Sequence, residues 1–185
     1  MSAPAPLTYP LSGLLAEPAG TERRYEINSA TIGLPDDLRL TEPIDGSLRV
    51  TRTNRGVLVD AELTTVIAGS CSRCLRDIEI PMRIRIREEV LPSIDLATGK
   101  PVHADDEPEI ARLTDHHELH FAVLAGEAIA LNEPIAPLCE KDCPGLCITC
   151  GERLGPGHPV HDDDPVDPRL EALRAFRVDA EGESD

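Results

Sequence analysis

Ile78-Glu79-Ile80-Pro81-Met82-Arg83-Ile84-Arg85-Ile86-Arg87 alternates apolar and polar side chains with period two. Successive side chains of a strand point to opposite faces, so the stretch predicts a strand with one apolar and one charged face. An antiparallel sheet with one wet side has that pattern. Pro81 sits on the polar side and marks an edge or a bulge, because proline brings no N–H to the ladder. Upstream, Val57, Val59, Ala61, Leu63, Thr65 and Ile67 repeat the alternation, with Asp60, Glu62 and Thr64 between them. Asn54-Arg55-Gly56 reads as a turn before that strand, and Leu48 and Val50 alternate with Arg49 and Thr51 before the turn. Arg24-Tyr25-Glu26-Ile27 predicts a first short strand, and Pro35-Asp36-Asp37 a turn.

Cys71-Ser72-Arg73-Cys74 falls between the two longest alternating runs, at the tip of a predicted hairpin. The other four cysteines lie in Cys139-Glu140-Lys141-Asp142-Cys143-Pro144-Gly145-Leu146-Cys147-Ile148-Thr149-Cys150-Gly151. A C-x2-C turn presents two sulfurs on one side of a tight loop, at a spacing suited to tetrahedral zinc with Zn–S bonds of about 2.3 Å. Cys71/Cys74 and Cys147/Cys150 are two such pairs, and the expected site joins them through one structural zinc. Cys139 and Cys143 are the alternative ligands, in a local site made with Cys147 and Cys150. His158 and His161 lie near the second pair and could substitute as ligands, but they read as surface residues, as do His116, His117 and His120.

Other readings of the cysteines belong to other function classes. Cys139 and Cys143, if spare, would be reactive thiols of a redox or metal-handling protein. Cys143-x3-Cys147-x2-Cys150 also has the spacing of an iron–sulfur cluster ligand set. A radical enzyme of that kind needs a large β/α barrel, and too little chain follows Cys150 to supply one. A structural iron–sulfur cluster is the remaining version.

The expected architecture is α+β: a twisted antiparallel sheet curled toward a barrel, one or two helices, and a C-terminal zinc knuckle. Residues 1–20 read as an N-terminal arm carrying the apolar patch Leu11, Leu14 and Leu15. Residues 21–178 form a single domain, with an acidic loop over 92–118 and the cysteine-rich knuckle at 139–151. A helix is predicted over about 121–131, weakened by Gly126 and ended by Asn132-Glu133-Pro134. Asp167-Pro168-Arg169 opens a last short helix with Leu170, Leu173 and Phe176 on one face. Residues 179–185 read as a disordered tail.

Composition narrows the function. Aromatic residues make up 2% of the 185 residues and tryptophan is absent, so Leu, Ile, Val and Ala must build the core. The formal net charge is −16, which argues against indiscriminate nucleic-acid binding. Residues 46–87 run the other way, with eight arginines against four acidic residues. Arg83, Arg85 and Arg87 share one strand face there and are the candidate RNA-facing residues; a solvated face is the simpler reading. Met1-Ser2-Ala3-Pro4-Ala5-Pro6 does not read as a secretory leader and no apolar run reaches membrane-spanning length, so a cytoplasmic protein is expected, with clustered thiols that bind metal rather than form disulfides. No phosphate-binding glycine loop, nucleophile elbow or isolated carboxylate pair occurs, so neither an enzyme nor a small-molecule substrate is expected.

Several of these residues together resemble the bacterial YceD family, in its actinobacterial branch. The match lies in Cys71-Ser72-Arg73-Cys74-Leu75 after a long strand, then Pro137-Leu138-Cys139, Asp142-Cys143-Pro144-Gly145-Leu146-Cys147 and Cys150-Gly151. The lead-in Ile135-Ala136-Pro137-Leu138, the acidic middle and the closing Asp167-Pro168-Arg169 also fit, and the likeness covers roughly residues 10–177. It implies a non-enzymatic factor for accumulation of large-subunit (23S) ribosomal RNA and for ribosome biogenesis. Its expected partners are that RNA, a ribosomal protein, or both.

Overall fold

The computed structural model describes residues 7–35, 38–95, 98–102, 110–161 and 169–170. Four long strands form one antiparallel meander in the order β2-β3-β4-β5: β2 (Glu22–Ala30), β3 (Leu40–Arg52), β4 (Val57–Ser70) and β5 (Asp77–Val90). The alternation read from the sequence sets their faces. Val57, Val59, Ala61, Leu63, Thr65 and Ile67 of β4 are buried, as are Ile80, Met82, Ile84 and Ile86 of β5. The β4/β5 register runs unbroken from Val57↔Val90 to Ser70↔Asp77, and Pro81 stands opposite Val66. Among the described residues β5 is an edge strand, so Pro81 leaves no ladder bond unmade.

This sheet is open and does not close into a barrel; β2 and β5 are its two edges. Its buried face is covered by a second layer. Helix α2 (Phe121–Leu131) lies where the sequence placed a helix and buries Phe121, Leu124, Ala125 and Ile129. The expected N-terminal arm belongs to that layer too. Strand β1 (Thr8–Pro10) pairs with β6 (Glu118–His120), and helix α1 (Ser12–Leu15) follows β1, with Leu11, Leu14 and Leu15 buried. Tyr9 stacks on Tyr25 with ring centroids 4.5 Å apart and meets Phe121 edge-on at 6.3 Å. Tyr9, Tyr25 and Phe121 are thus gathered where the second layer meets β2.

Two spans differ from expectation for local reasons. Strands β2 and β3 are longer than their apolar alternation, because register shifts between Ile27 and Ala30, and between Leu40 and Asp45, interrupt the period. Ser29 takes a left-handed conformation (φ 50°) at the first of these, and its N–H donates to Asp45 Oδ1 at 2.8 Å. The acidic span 92–118 is structured at its C-terminal side. Leu113 is buried, its N–H donates to the Leu91 carbonyl and the Leu91 N–H to the Ala111 carbonyl, and β6 completes the small sheet. The Pro35-Asp36-Asp37 turn, most of the Asp167-Pro168-Arg169 helix and the 179–185 tail fall largely or wholly outside the described residues.

Candidate metal centre

The β4–β5 hairpin carries Cys71 and Cys74 at its tip, as the spacing predicts. The Cys71 N–H donates to the Arg76 carbonyl at 2.8 Å and the Leu75 N–H to the Cys71 carbonyl at 2.9 Å, closing the knuckle. Leu75, just past the second cysteine, has φ 56°. The chain leaving α2 returns to this tip, where the Ser72 N–H donates to the Pro137 carbonyl at 2.9 Å. Arg73 Nη1 donates to the Cys143 carbonyl at 3.0 Å and fixes the second loop.

The sulfurs brought together are Cys71, Cys74, Cys139 and Cys143, all within 4.8 Å of one another. This grouping replaces the expected partnership of Cys71/Cys74 with Cys147/Cys150. The physical reason is the path of the chain: residues 137–143 pack on the hairpin before Cys147 is reached. Cys71 Sγ lies 3.8 Å from Cys143 Sγ, and Cys74 Sγ lies 3.7 Å from Cys139 Sγ. Those separations are far beyond a disulfide, and all six cysteines are free thiols. They match the edge of a tetrahedron of sulfurs about 2.3 Å from a central ion, which is about 3.8 Å. A polynuclear iron–sulfur cluster would set several atoms between the ligating sulfurs and spread them further. The space fits one ion.

Two of these thiols, Cys71 and Cys143, are shifted in opposite directions. Burial pushes the Cys71 thiol up, but backbone N–H groups of Cys139, Cys74 and Arg73 together with the Cys74 side chain bring it down to about 6. Burial pushes Cys143 up to about 12; the Gly145 N–H opposes this rise and the neighbouring Cys139, Cys74 and Cys71 thiols add to it. Four sulfurs in one small volume cannot all be anionic without a cation among them. Arg73 lies alongside, and the Arg76 guanidinium is held in its charged form chiefly by its hydrogen bond to Cys139. These two arginines suit a site whose four thiolates exceed the charge of one divalent ion.

Cys147 and Cys150 sit in a second group with His158 and His161, whose ligand atoms again lie within 4.8 Å of one another. Sequence reasoning treated the two histidines as surface residues. The available signal was the run Cys147-x2-Cys150-x7-His158-x2-His161, in which two close pairs follow one another. A short ribbon carries the group: Leu146 bridges Arg153, the Cys147 N–H donates to the Glu152 carbonyl at 2.7 Å, and the Leu154 N–H to the Gly145 carbonyl at 3.0 Å. His116, His117 and His120 join neither group.

Arg83, Arg85 and Arg87 occupy the outer sheet face, as the alternation requires, but that face is not a basic one. Arg85 pairs with Glu62, Arg49 with Asp60 at 2.7 Å, and Arg24 with Glu22 at 2.7 Å. In register, Arg87 stands opposite Asp60 and Arg83 opposite Thr64. Asp60 is thus the cross-strand neighbour of both Arg49 and Arg87, and Glu62 that of Arg85. No helix among the described residues is long and apolar enough to cross a membrane.

An open antiparallel meander backed by a helical layer, with four cysteines gathered at its hairpin tip as a metal ion would require, defines the class of protein. The chain belongs to the family described as large ribosomal RNA subunit accumulation protein YceD, which matches residues 59–177. That span takes in most of β4, all of β5 and every cysteine. Uncharacterized proteins of Mycobacterium tuberculosis and Mycobacterium bovis are each 32% identical over 131 residues, covering 70% of this chain and 60% of theirs. One of Mycobacterium leprae is 30% identical over 146 residues, covering 77% of this chain and 64% of its own. This chain therefore spans about 60% of the length of such relatives. No solved structure matches it.

Proposed function

We propose that the protein is a non-enzymatic factor in large-subunit ribosome biogenesis, stabilised by one zinc ion on Cys71, Cys74, Cys139 and Cys143. Membership of the rRNA accumulation family over residues 59–177 carries this reading. The ion would join the β4–β5 tip to the segment after α2, inside the small cluster where Ile78 and Leu146 pack on the same cysteines. Four thiolates at tetrahedral spacing suit zinc in a reducing cytoplasm better than harder ions.

The protein acts on the RNA through a basic ribosomal protein. Its formal net charge of −16 and the charge-paired outer sheet face favour a cationic partner over a phosphate backbone. The test is capture of the tagged full chain from cells, with and without ribonuclease, alongside rRNA quantification after depletion. A large-subunit protein retained after ribonuclease, with a fall in large-subunit relative to small-subunit rRNA, is the expected result. Capture abolished by ribonuclease would transfer the contact to RNA itself. An unchanged rRNA ratio on depletion would end the biogenesis reading.

A further inference from the structure

We propose that Cys147, Cys150, His158 and His161 bind a second metal ion, distinct from the one on the hairpin clasp, and that this ion is what holds the ribbon from Leu146 to His161 in its fold. The ligand class is a borderline-soft divalent cation in a two-thiolate, two-imidazole site, with zinc as the natural occupant.

Three independent observations converge on this group. The first is geometric: four ligand atoms from two sequence-local pairs lie within 4.8 Å of one another, and Cys150 Sγ is 3.3 Å from His158 Nε2. The imidazoles of His158 and His161 meet edge to face at 5.2 Å, so both rings are already gathered at the two sulfurs.

The second is an unmet polar atom. His161 Nε2 is enclosed and has no hydrogen-bond partner. A buried imidazole nitrogen without a partner is costly, and a bound cation at that position removes the cost.

The third is how little packing the ribbon has to hold it in order. Between Ile148 and His161 no residue is buried, and Ile148 and Val160 are almost wholly exposed. With Leu154 only half-buried and their other apolar side chains exposed, residues 148–161 offset little of their conformational entropy by the hydrophobic effect. Each of the ribbon's few backbone hydrogen bonds contributes only modest net stability. Ligand bonds to one ion supply what packing does not, as in small metal-folded modules.

Only Pro144, Gly145 and Leu146 separate Cys143 of the first group from Cys147 of the second. The two ions would be neighbours along the chain yet share no ligand, so each can be removed by itself.

The inference is independent of the ribosomal reading and is tested without it. The full chain, purified anaerobically, is dialysed against buffered Zn2+, and bound zinc is counted per chain for wild type, His158→Ala, His161→Ala and Cys139→Ser. Wild type binds two ions; each histidine variant binds one, with affinity at the altered site down by about 100-fold or more. Cys139→Ser keeps the histidine-containing ion, and Co2+ loaded into that variant shows the absorption of a mixed sulfur–nitrogen site. Limited proteolysis then cuts the His161→Ala ribbon between residues 148 and 160 while β2–β5 stays protected, separating local loss from global misfolding. One ion in wild type, or two ions retained in both histidine variants, overturns the proposal. So does a ribbon equally resistant to protease with and without the second ion.

Discussion

Cys74 Sγ and Cys139 Sγ stand 3.7 Å apart although 65 residues separate them in the chain. The contact ties a hairpin tip to the segment that follows α2, and it makes Cys139 a member of the clasp and not a spare thiol. Cys139→Ser is therefore expected to lose the clasp metal as completely as Cys74→Ser, with affinity down by about 100-fold or more. Zinc content and the urea midpoint of the two variants should fall together. Cys139→Ser protein that keeps its clasp zinc and wild-type midpoint would separate this residue from the site.

Leu75 closes the same knuckle in a left-handed conformation at φ 56°, where its Cβ is strained, and its side chain is 67% exposed. The corresponding position after Cys150 holds Gly151 at φ 75°, which bears no such penalty. Leu75→Gly should raise stability by about 0.5–1 kcal/mol, the relief of left-handed strain exceeding the added freedom of the unfolded chain. A denaturant titration at saturating zinc measures it.

The sheet was legible in the sequence because burial follows the period of a strand. Val57 to Ile67 and Ile78 to Ile86 face inward wherever the alternation puts them, and the connection bearing Cys71 and Cys74 falls between them. The bounds of α2 were legible from its apolar run and from Asn132-Glu133-Pro134. The thiolate pairing was not. Two C-x2-C turns look equivalent in one dimension, and only the return of residues 137–143 to the hairpin tip decides which pair meets Cys71 and Cys74. His158 and His161 were hidden by their polar surroundings, which resemble a solvated loop until the ribbon folds them onto Cys147 and Cys150. The open sheet differs from the expected curl because strand pattern sets which face is buried and does not set closure.

Gly46 faces Leu63 across the β3/β4 ladder, and a Cβ built there would overlap the Glu62 carbonyl oxygen. Backbone cannot retreat as a flexible side chain does. Gly46→Ala is expected to cost about 1–3 kcal/mol, as for other insertions into a close-packed contact. Thermal unfolding of the zinc-loaded chain reads it, and Gly20→Ala is no spatial match because a Cβ at Gly20 meets nothing within 4 Å. The comparison must allow for the left-handed φ of 94° at Gly20, which carries its own strain.

Glu88 on β5 has its carboxyl pKa raised, first by burial and then by the charge of Glu127 on α2. The folded chain thus binds this proton more tightly than the unfolded chain. Stability from this group is greatest below the ordinary glutamate range and declines as pH rises through the raised folded value. Glu88→Gln should stabilise the protein at pH 7 by about a few tenths of a kcal/mol after solvent screening, and the gain should vanish near pH 4. A gain that persists unchanged at pH 4 would assign it to packing instead of charge.

Arg85 and Glu62 form an ion pair on the outer sheet face with side chains 73% and 61% exposed. Exposed pairs of this kind are weak and salt-screened, so they neutralise a surface more than they stabilise a fold. Replacing Arg83, Arg85 and Arg87 together by Gln is therefore expected to leave the denaturation midpoint nearly unchanged. The substitution also makes the chain more acidic, which should strengthen attraction to a cationic partner at low salt. Complementation of a depleted strain then distinguishes the two kinds of partner. The triple variant should restore large-subunit rRNA as well as wild type if a basic protein is bound. Failure to restore it with the fold intact would make these three arginines the RNA-facing surface and remove the argument from charge pairing.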